Sequence, residues 1–295
     1  MSQGIVVLAQ NLPDVNYVNQ ATLLAMSLKH TNPETKISII TNDEVEQQIL
    51  FDHIIPIPWN DDAKNSQWKI ENRWKIYHAS PYEKTIVMDT DMLVLQDIST
   101  WWKFLDNYKI FYTSKVYTYR GDIADTSYYR KAFLANNLPN LFCGFHYFQK
   151  SDKALEFYKL LELIMQNWQA FYEKFLEGVT RPKHVSVDVC VAIAAMILDC
   201  VPEITNSNVS FPSFTHMKKN CQGWEDSSDN WQDRVGFYIS RNCEIKIGNH
   251  LQSGILHYTE KDFITKSPVV ERLSLIHISE PTRPLYISYA VFCLK

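Results

Sequence analysis

Residues 85–95 read TIVMDTDMLVL, an apolar run rich in β-branched side chains that is broken by Asp89 and Asp91. An unpaired buried carboxylate is costly, so the middle of a core strand excludes both acids. The two facts agree if a buried strand ends at Met88 and Asp89 stands at its carboxyl rim. Side chains two apart on extended backbone point the same way, so Asp89 and Asp91 can converge on one object. Facing carboxylates repel unless a cation lies between them. A hard divalent ion, Mn²⁺ or Mg²⁺, takes oxygen ligands and leaves positions open for phosphate oxygens. The bland alternative is a strand-to-loop turn with one acid capping it and the other solvated.

Outward from this stretch, the chain alternates short apolar runs with helical periodicity. GIVVLA (4–9), KISIIT (36–41), HIIPIP (53–58) and TIVM (85–88) read as strands, and YVNQATLLAMSLKH (17–30) as a helix ended by TNP (31–33). The segment 67–79 reads as a helix stopped by Ser80–Pro81, and 98–105 as a helical turn. KIFYTS (109–114) and LFCGFHYFQ (141–149) are further strands. A long helix is expected over 151–176, capped by Ser151 with Leu155, Tyr158, Leu161, Met165 and Trp168 on one stripe, and a buried one over 186–198. Strands alternating with helices predict a single α/β domain around a mainly parallel sheet, whose ligands bind outside the carboxyl ends of the strands.

Composition narrows the function. The chain has 295 residues, 46% hydrophobic and 21% charged, with a formal charge of −4 and no run of Lys or Arg. That balance excludes a nucleic-acid binder held by phosphate contacts. No apolar stretch approaches the roughly 18 residues of a membrane span, and MSQGIVVLAQ lacks the basic start of a signal peptide. Six cysteines without a CxxC pair suggest reduced thiols in a cytoplasmic protein. The last stretch, LSLIHISEPTRPLYISYAVFCLK (273–295), resembles an in-frame translation of a sequencing adapter rather than selected protein. The expectation is therefore a functional domain over 1–272, with the natural sequence last visible at Arg272, against a native C-terminal strand pair.

The string ENRWKIYHASPYEKTIVMDTDMLVL (71–95) resembles the GT-A glycosyltransferases, in particular the glycogenin and lipopolysaccharide galactosyltransferase group. In that group an Arg-bearing helix leads into an apolar strand and then D-x-D. The resemblance implies a GT-A type, Rossmann-like fold and transfer of a sugar from a nucleotide-diphosphate sugar, first of all a UDP-sugar, to a hydroxyl of a glycan, lipid or protein acceptor. It implies Mn²⁺ or Mg²⁺ on Asp89 and Asp91, with His257 of ILHYTEK as third ligand and Lys261 on the diphosphate. Arg73 then contacts the donor sugar, Tyr17 stacks on the base, and Asp188 in SVDVC matches the acid opening the group's D-Q element. The likeness runs in order over roughly residues 4–263, with departures. Phe142-Cys143-Gly144 stands where the group has N-x-G, Val189 replaces the glutamine, and HYTEK lacks a glycine and is two residues tighter. These touch the stereochemical outcome more than the donor chemistry, and an inverting reaction would need a base, Asp188 or Asp122.

Each residue also has a plainer reading. His257 could be a core histidine with His250 as the ligand instead, Arg73 an exposed helix charge, Tyr17 a packing residue and Asp188 a helix cap. Trp101 and Trp102, with Trp59, Trp68 and Trp74, read as core, so one exposed tryptophan near the site would be informative. Three other functions share parts of the pattern. IVMDTD with GDIAD (121–125) mimics a haloacid-dehalogenase-type phosphatase, although nearly ninety residues precede the motif. A nucleotidyltransferase would need a Gly-rich phosphate loop near the start, and none is present there. A degenerate member would bind a nucleotide sugar without turning it over.

Overall fold

The computed structural model describes residues 2–279 apart from 68, 125–129, 207, 210 and 225–229, and gives only the backbone of 266 and 275–279. Its strands are β1 (Gln3–Leu8), β2 (Ile37–Ile40), β3 (His53–Ile55), β4 (Lys84–Met88), β5 (Met92–Val94), β6 (Ile110–Thr113) and β7 (Phe142–Gln149), followed by β8 (Phe214–His216), β9 (Phe237–Ile239), β10 (Ile245–Ile247), β11 (His250–Leu251) and β12 (Ile255–His257). The central sheet is six-stranded in the order β3-β2-β1-β4-β7-β6. β3, β2, β1 and β4 are parallel, while β7 runs antiparallel to both β4 and β6, so β7 alone is reversed. The sheet is mainly parallel, as the alternating pattern predicts.

Hydrophobicity on both faces explains why the strands are unbroken apolar runs rather than alternating ones. From Ile5 to Val7 no residue has accessible surface, and Ile86 to Met88 are equally sealed. One face packs on helix Tyr17–Thr31 and on Trp101, Trp102 and Leu105; the other packs on helices Asp152–Gln166 and Val187–Ile197. The first helix starts at Asn16, whose side chain accepts the Asn19 N–H at 2.8 Å, and ends with Lys29 and His30 in its last turn. Ser151 caps the long helix as expected, accepting the Ala154 N–H at 3.3 Å.

Three expectations change. The helix expected over 67–79 is regular only from Arg73 to Ala79, as a 3₁₀ turn and one α turn, and Trp68 lies outside the described residues. Upstream, Lys69 adopts φ +53 and Asn72 spends its side chain on Asp61 and Gln10 across the fold. The helix expected over 151–176 is two, Asp152–Gln166 and Trp168–Phe175, broken at Asn167, whose Nδ2 donates to the Leu163 carbonyl at 2.9 Å. The third change is a pair of three-stranded sheets with no counterpart in the sequence reading, β11-β10-β9 and β5-β12-β8, the latter being the small sheet beside the acids.

At the end of the described chain, helix Val269–Ser279 runs across the Arg272–Leu273 boundary, and Val269 and Leu273 are both buried. Residues 280–295, including Cys293, lie outside the described residues. Cys143, Cys190 and Cys200 are buried thiols, Cys243 is a half-buried one, and Cys221 is also buried. No helix among the described residues is long and apolar enough to cross a membrane.

Gly254 is the hinge point of the small sheet. Its φ is +72°, and a Cβ there would lie 2.2 Å from the Ser213 carbonyl oxygen. Its own carbonyl accepts the Leu95 N–H at 2.8 Å, so the residue ties β5 and β8 to β12. Gly254→Ala should cost about 3 kcal/mol, from the left-handed backbone and the backbone clash together. Urea unfolding measures it, and an unchanged midpoint would contradict the close approach.

Candidate active site

β4 ends at Met88, and Asp89 follows with its N–H donating to the Gly144 carbonyl of β7 at 2.9 Å. The chain then turns through Thr90 and Asp91 into β5. Thr90 points away from its two neighbours, donating to Gln20 of the first helix at 3.1 Å. The two aspartates therefore share a side, though across a turn rather than along extended backbone. β5 pairs antiparallel with β12, Met92 opposite His257, and this register brings the histidine to the acids. One ligand atom from each of Asp89, Asp91 and His257 lies within 4.8 Å of the others.

Each acid faces a basic group of the protein. Arg73, first residue of its 3₁₀ turn, places Nη1 2.5 Å from Asp89 Oδ1. His257 Nε2 lies 2.9 Å from Asp91 Oδ1. Burial works against the Asp89 charge, but Arg73 and then His257 outweigh it and hold its carboxyl below the usual range. Burial likewise opposes the His257 charge, and Asp91 outweighs it, raising the imidazole above its ordinary value. Asp89 Oδ1 is buried against the Arg73 guanidinium. Two carboxylates and an imidazole with donor atoms this close together are a ligand set that fits Mn²⁺.

The remaining candidates fall at different distances from this cluster. Tyr17 is half-buried at the start of the first helix, and burial and then the Asp91 charge push its phenol up, with Arg73 opposing and Asp89 adding. Its hydroxyl thus senses the acids. Asp188, in the first turn of its helix, lines an open groove of about 470 Å³ together with Arg73, Asp89, Cys143 and Gly144. It does not cap its own helix. Oδ1 accepts the Cys143 N–H at 2.9 Å and Oδ2 accepts Arg130 Nη1 at 3.0 Å. Lys261 sits on the exposed turn past Glu260, and His250 is exposed on β11 against the edge of Tyr119, so His257 is the histidine that meets the acids. Where the sequence lacks a glycine in HYTEK, Thr259 takes φ +60 and Glu260 N–H closes on the Tyr258 carbonyl at 2.7 Å. Asp122 is exposed on a turn, and Asp125 of GDIAD lies outside the described residues.

Gly144 matters for a steric reason. A Cβ there would meet Asp89 Oδ2 at 3.1 Å and Met92 Cε at 2.9 Å, so only hydrogen lets β7 pass this close to the acid. Two residues escaped the sequence reading. Arg130, 5% exposed, lies over the rings of Phe133 and Phe142 at 3.7 and 4.1 Å while holding Asp188. His216 on β8 places Nδ1 3.0 Å from His257 Nδ1. Neither carries a local motif; the β8–β12 register reveals His216, and the contact with Asp188 reveals Arg130. Trp74, Trp101 and Trp102 are core as expected, whereas Trp59 is 66% exposed and stacks on Trp74 at 5.5 Å.

No protein-family model matches the chain, and no curated protein matches it in sequence. Among solved structures, the chain is similar to the galactosyltransferase LgtC in complex with donor and acceptor sugar analogues, at 15% identity and a TM-score of 0.46, with 87% of each chain covered. It is also similar to the glycosyltransferase GlyE of Streptococcus pneumoniae TIGR4, at 14% identity and a TM-score of 0.47, over 88% of this chain but 55% of that one. The chain thus spans about half the length of GlyE. Mouse xyloside xylosyltransferase 1 in its apo form matches at 12% identity and a TM-score of 0.46, over 70% of this chain and 84% of that one.

The site makes a direct prediction about metal. Mn²⁺ should raise the melting temperature of the parent chain, because only binding to the folded state stabilises it. Asp91→Asn should lose some metal-free stability, because His257 loses the carboxylate it faces, and should lose that response, while Asp97→Asn on the exposed turn should respond like the parent. A metal response retained in Asp91→Asn would mean that the acid is structural.

Proposed function

We propose that the protein is a glycosyltransferase of GT-A type, which moves a sugar from a nucleotide-diphosphate sugar, a UDP-sugar before others, to a hydroxyl on a glycan, lipid or protein acceptor. One observation carries this reading: Asp89, Asp91 and His257 converge at the carboxyl end of a parallel-sheet strand, beside Arg73 and next to a groove that Asp89, Arg73 and Gly144 line. Carboxylates gathered at that edge suit a ligand that arrives with its own negative charge and a cation to balance it.

Asp89, Asp91 and His257 are the residues that would hold Mn²⁺ or Mg²⁺, and the ion supplies charge neutralisation to a departing diphosphate. The chain's own groups do the rest. Arg73, half-withdrawn from solvent, has a planar fork that can reach both Asp89 and a sugar hydroxyl. Tyr17 offers a ring face to a base beside the acids. A sugar ring would lie in the groove lined by Asp89, Gly144 and Asp188, where Asp188, fixed by Cys143 N–H and Arg130, accepts a hydrogen bond from it. With both its oxygens already engaged, Asp188 is suited to orienting rather than to abstracting a proton. Lys261 stands on the turn nearest to His257 in sequence and is our candidate for the outer phosphate. Free thiols at Cys143, Cys190, Cys200 and Cys243 suit a reducing compartment, the cytoplasm. We assign this function to residues 1–272 and treat 273–295 as adapter-derived; a chain ending at Ser274, which keeps the buried Leu273, should turn over as the full chain does.

A panel of nucleotide sugars assayed for Mn²⁺-dependent hydrolysis tests the reading, with release of p-nitrophenol from its phosphate ester as the phosphatase control. The expected result is hydrolysis of one UDP-sugar and none of the ester. Arg73→Lys should lower donor turnover about 100-fold, roughly 2.7 kcal/mol, while leaving UDP binding nearly unchanged. Equal losses for UDP and for the intact donor would remove Arg73 from the sugar.

A further inference from the structure

The pairing of β12 with β8 sets His257 opposite His216, and both side chains are sealed from solvent at 8% and 9% exposure. Their rings lie 4.7 Å apart, with Nδ1 of each 3.0 Å from Nδ1 of the other. At that separation one hydrogen, and only one, fits between the two nitrogens. Its placement decides what His257 can do. If His216 carried it, His257 would accept at Nδ1, and its neutral form would keep its hydrogen on Nε2. Nε2 is the atom that faces Asp91 Oδ1 at 2.9 Å, so that arrangement would spoil it as a ligand. If His257 Nδ1 donates and His216 Nδ1 accepts, Nε2 is the nitrogen that gives up its hydrogen, the one now facing Asp91, and its lone pair is then free for a cation held by the two acids.

We propose that His216 is a positioning residue for the metal centre: it accepts the Nδ1 hydrogen of His257 and so fixes both the tautomer and the ring angle that present Nε2 to the site of Asp89 and Asp91. This rests on the metal-binding reading given above. His216 is itself well anchored for the task. Its N–H donates to the Tyr117 carbonyl at 2.9 Å and its carbonyl accepts Gln222 Nε2 at 2.8 Å. Its ring is flanked by Phe142 and Phe214, with centroids 6.3 and 5.9 Å away. Acceptors behind a metal-bound imidazole set its orientation and basicity, and their loss typically weakens metal affinity 10–100-fold.

The test is a calorimetric Mn²⁺ titration of the full chain and three variants, each checked for a native melting transition. His216→Leu keeps the volume but accepts nothing, and should weaken Mn²⁺ about 10–100-fold. His216→Asn places its carbonyl oxygen where Nδ1 was, and should keep most of the affinity. His216→Gln is equally polar but carries its oxygen where the far ring nitrogen was, and should bind as poorly as the leucine variant. The asparagine–glutamine contrast decides the matter even if His216→Leu fails to fold, because a packing role would treat the two amides alike. Equal affinity in all folded variants, or equal loss in Asn and Gln, overturns the proposal while leaving the metal site standing. A parent chain that binds no Mn²⁺ overturns both together.

Discussion

Two carboxylates cannot stay ionised side by side, partly shielded from water, without positive charge between or beside them. Here Arg73 stands against Asp89 and the His257 imidazole against Asp91, and most of the fold can be understood as the means of holding those four groups in reach. The acids come from the end of one strand and the turn after it. Arg73 comes from a 3₁₀ turn, anchored by the buried Asn72 and Lys75 on either side of it, and His257 from a strand near the other end of the chain. A buried guanidinium and imidazole would each be costly alone, and so would the acids; together they are tolerable.

The geometry depends on two sheets meeting at one turn. β4 belongs to the central sheet and β5 to the small one, so Thr90, anchored to Gln20, and the flanking aspartates sit where the chain changes partners. Gly144 lets β7 close up on Asp89 from one side, and β12 closes on Asp91 from the other. The Tyr258 N–H donates to the Asp91 carbonyl at 3.1 Å, which fixes the backbone of the second acid as Gly144 fixes that of the first.

How much of this was legible follows from what kind of signal each part leaves. β1, β2 and β4 are apolar runs bounded by polar residues, and the first helix has a cap, an apolar face and a stop; such elements are written locally. Asp89 and Asp91 stood out because acids are misplaced in an apolar strand. β5 and β8 did not, since three residues are too few to show a period, and their pairing with β12 is settled by contacts between distant segments. The same limit hid His216 and Arg130. The break at Asn167 was missed for another reason: the apolar stripe continues across it, and the competitor is a single side-chain amide bonding back to its own helix. The segment before Arg73 carries a helical sequence pattern, but Asn72 is taken up by Gln10 and Asp61, and Lys69 reaches back to the Ala63 carbonyl.

The β5–β12 pairing has a consequence for how the molecule comes to be competent. Asp91 and His257 are separated by more than half of the chain, whereas β1, β2, β3, β4 and the first helix all arise from its opening third. Contacts between remote segments carry the loop-closure entropy of everything between them and form late. The four parallel strands can thus assemble while the third ligand is still in unfolded chain. Partly folded molecules then hold two acids and an arginine but no complete centre, so they are chemically silent. Competence for the ion arrives with the last tertiary contacts, which makes metal response a gauge of complete folding as well as of chemistry.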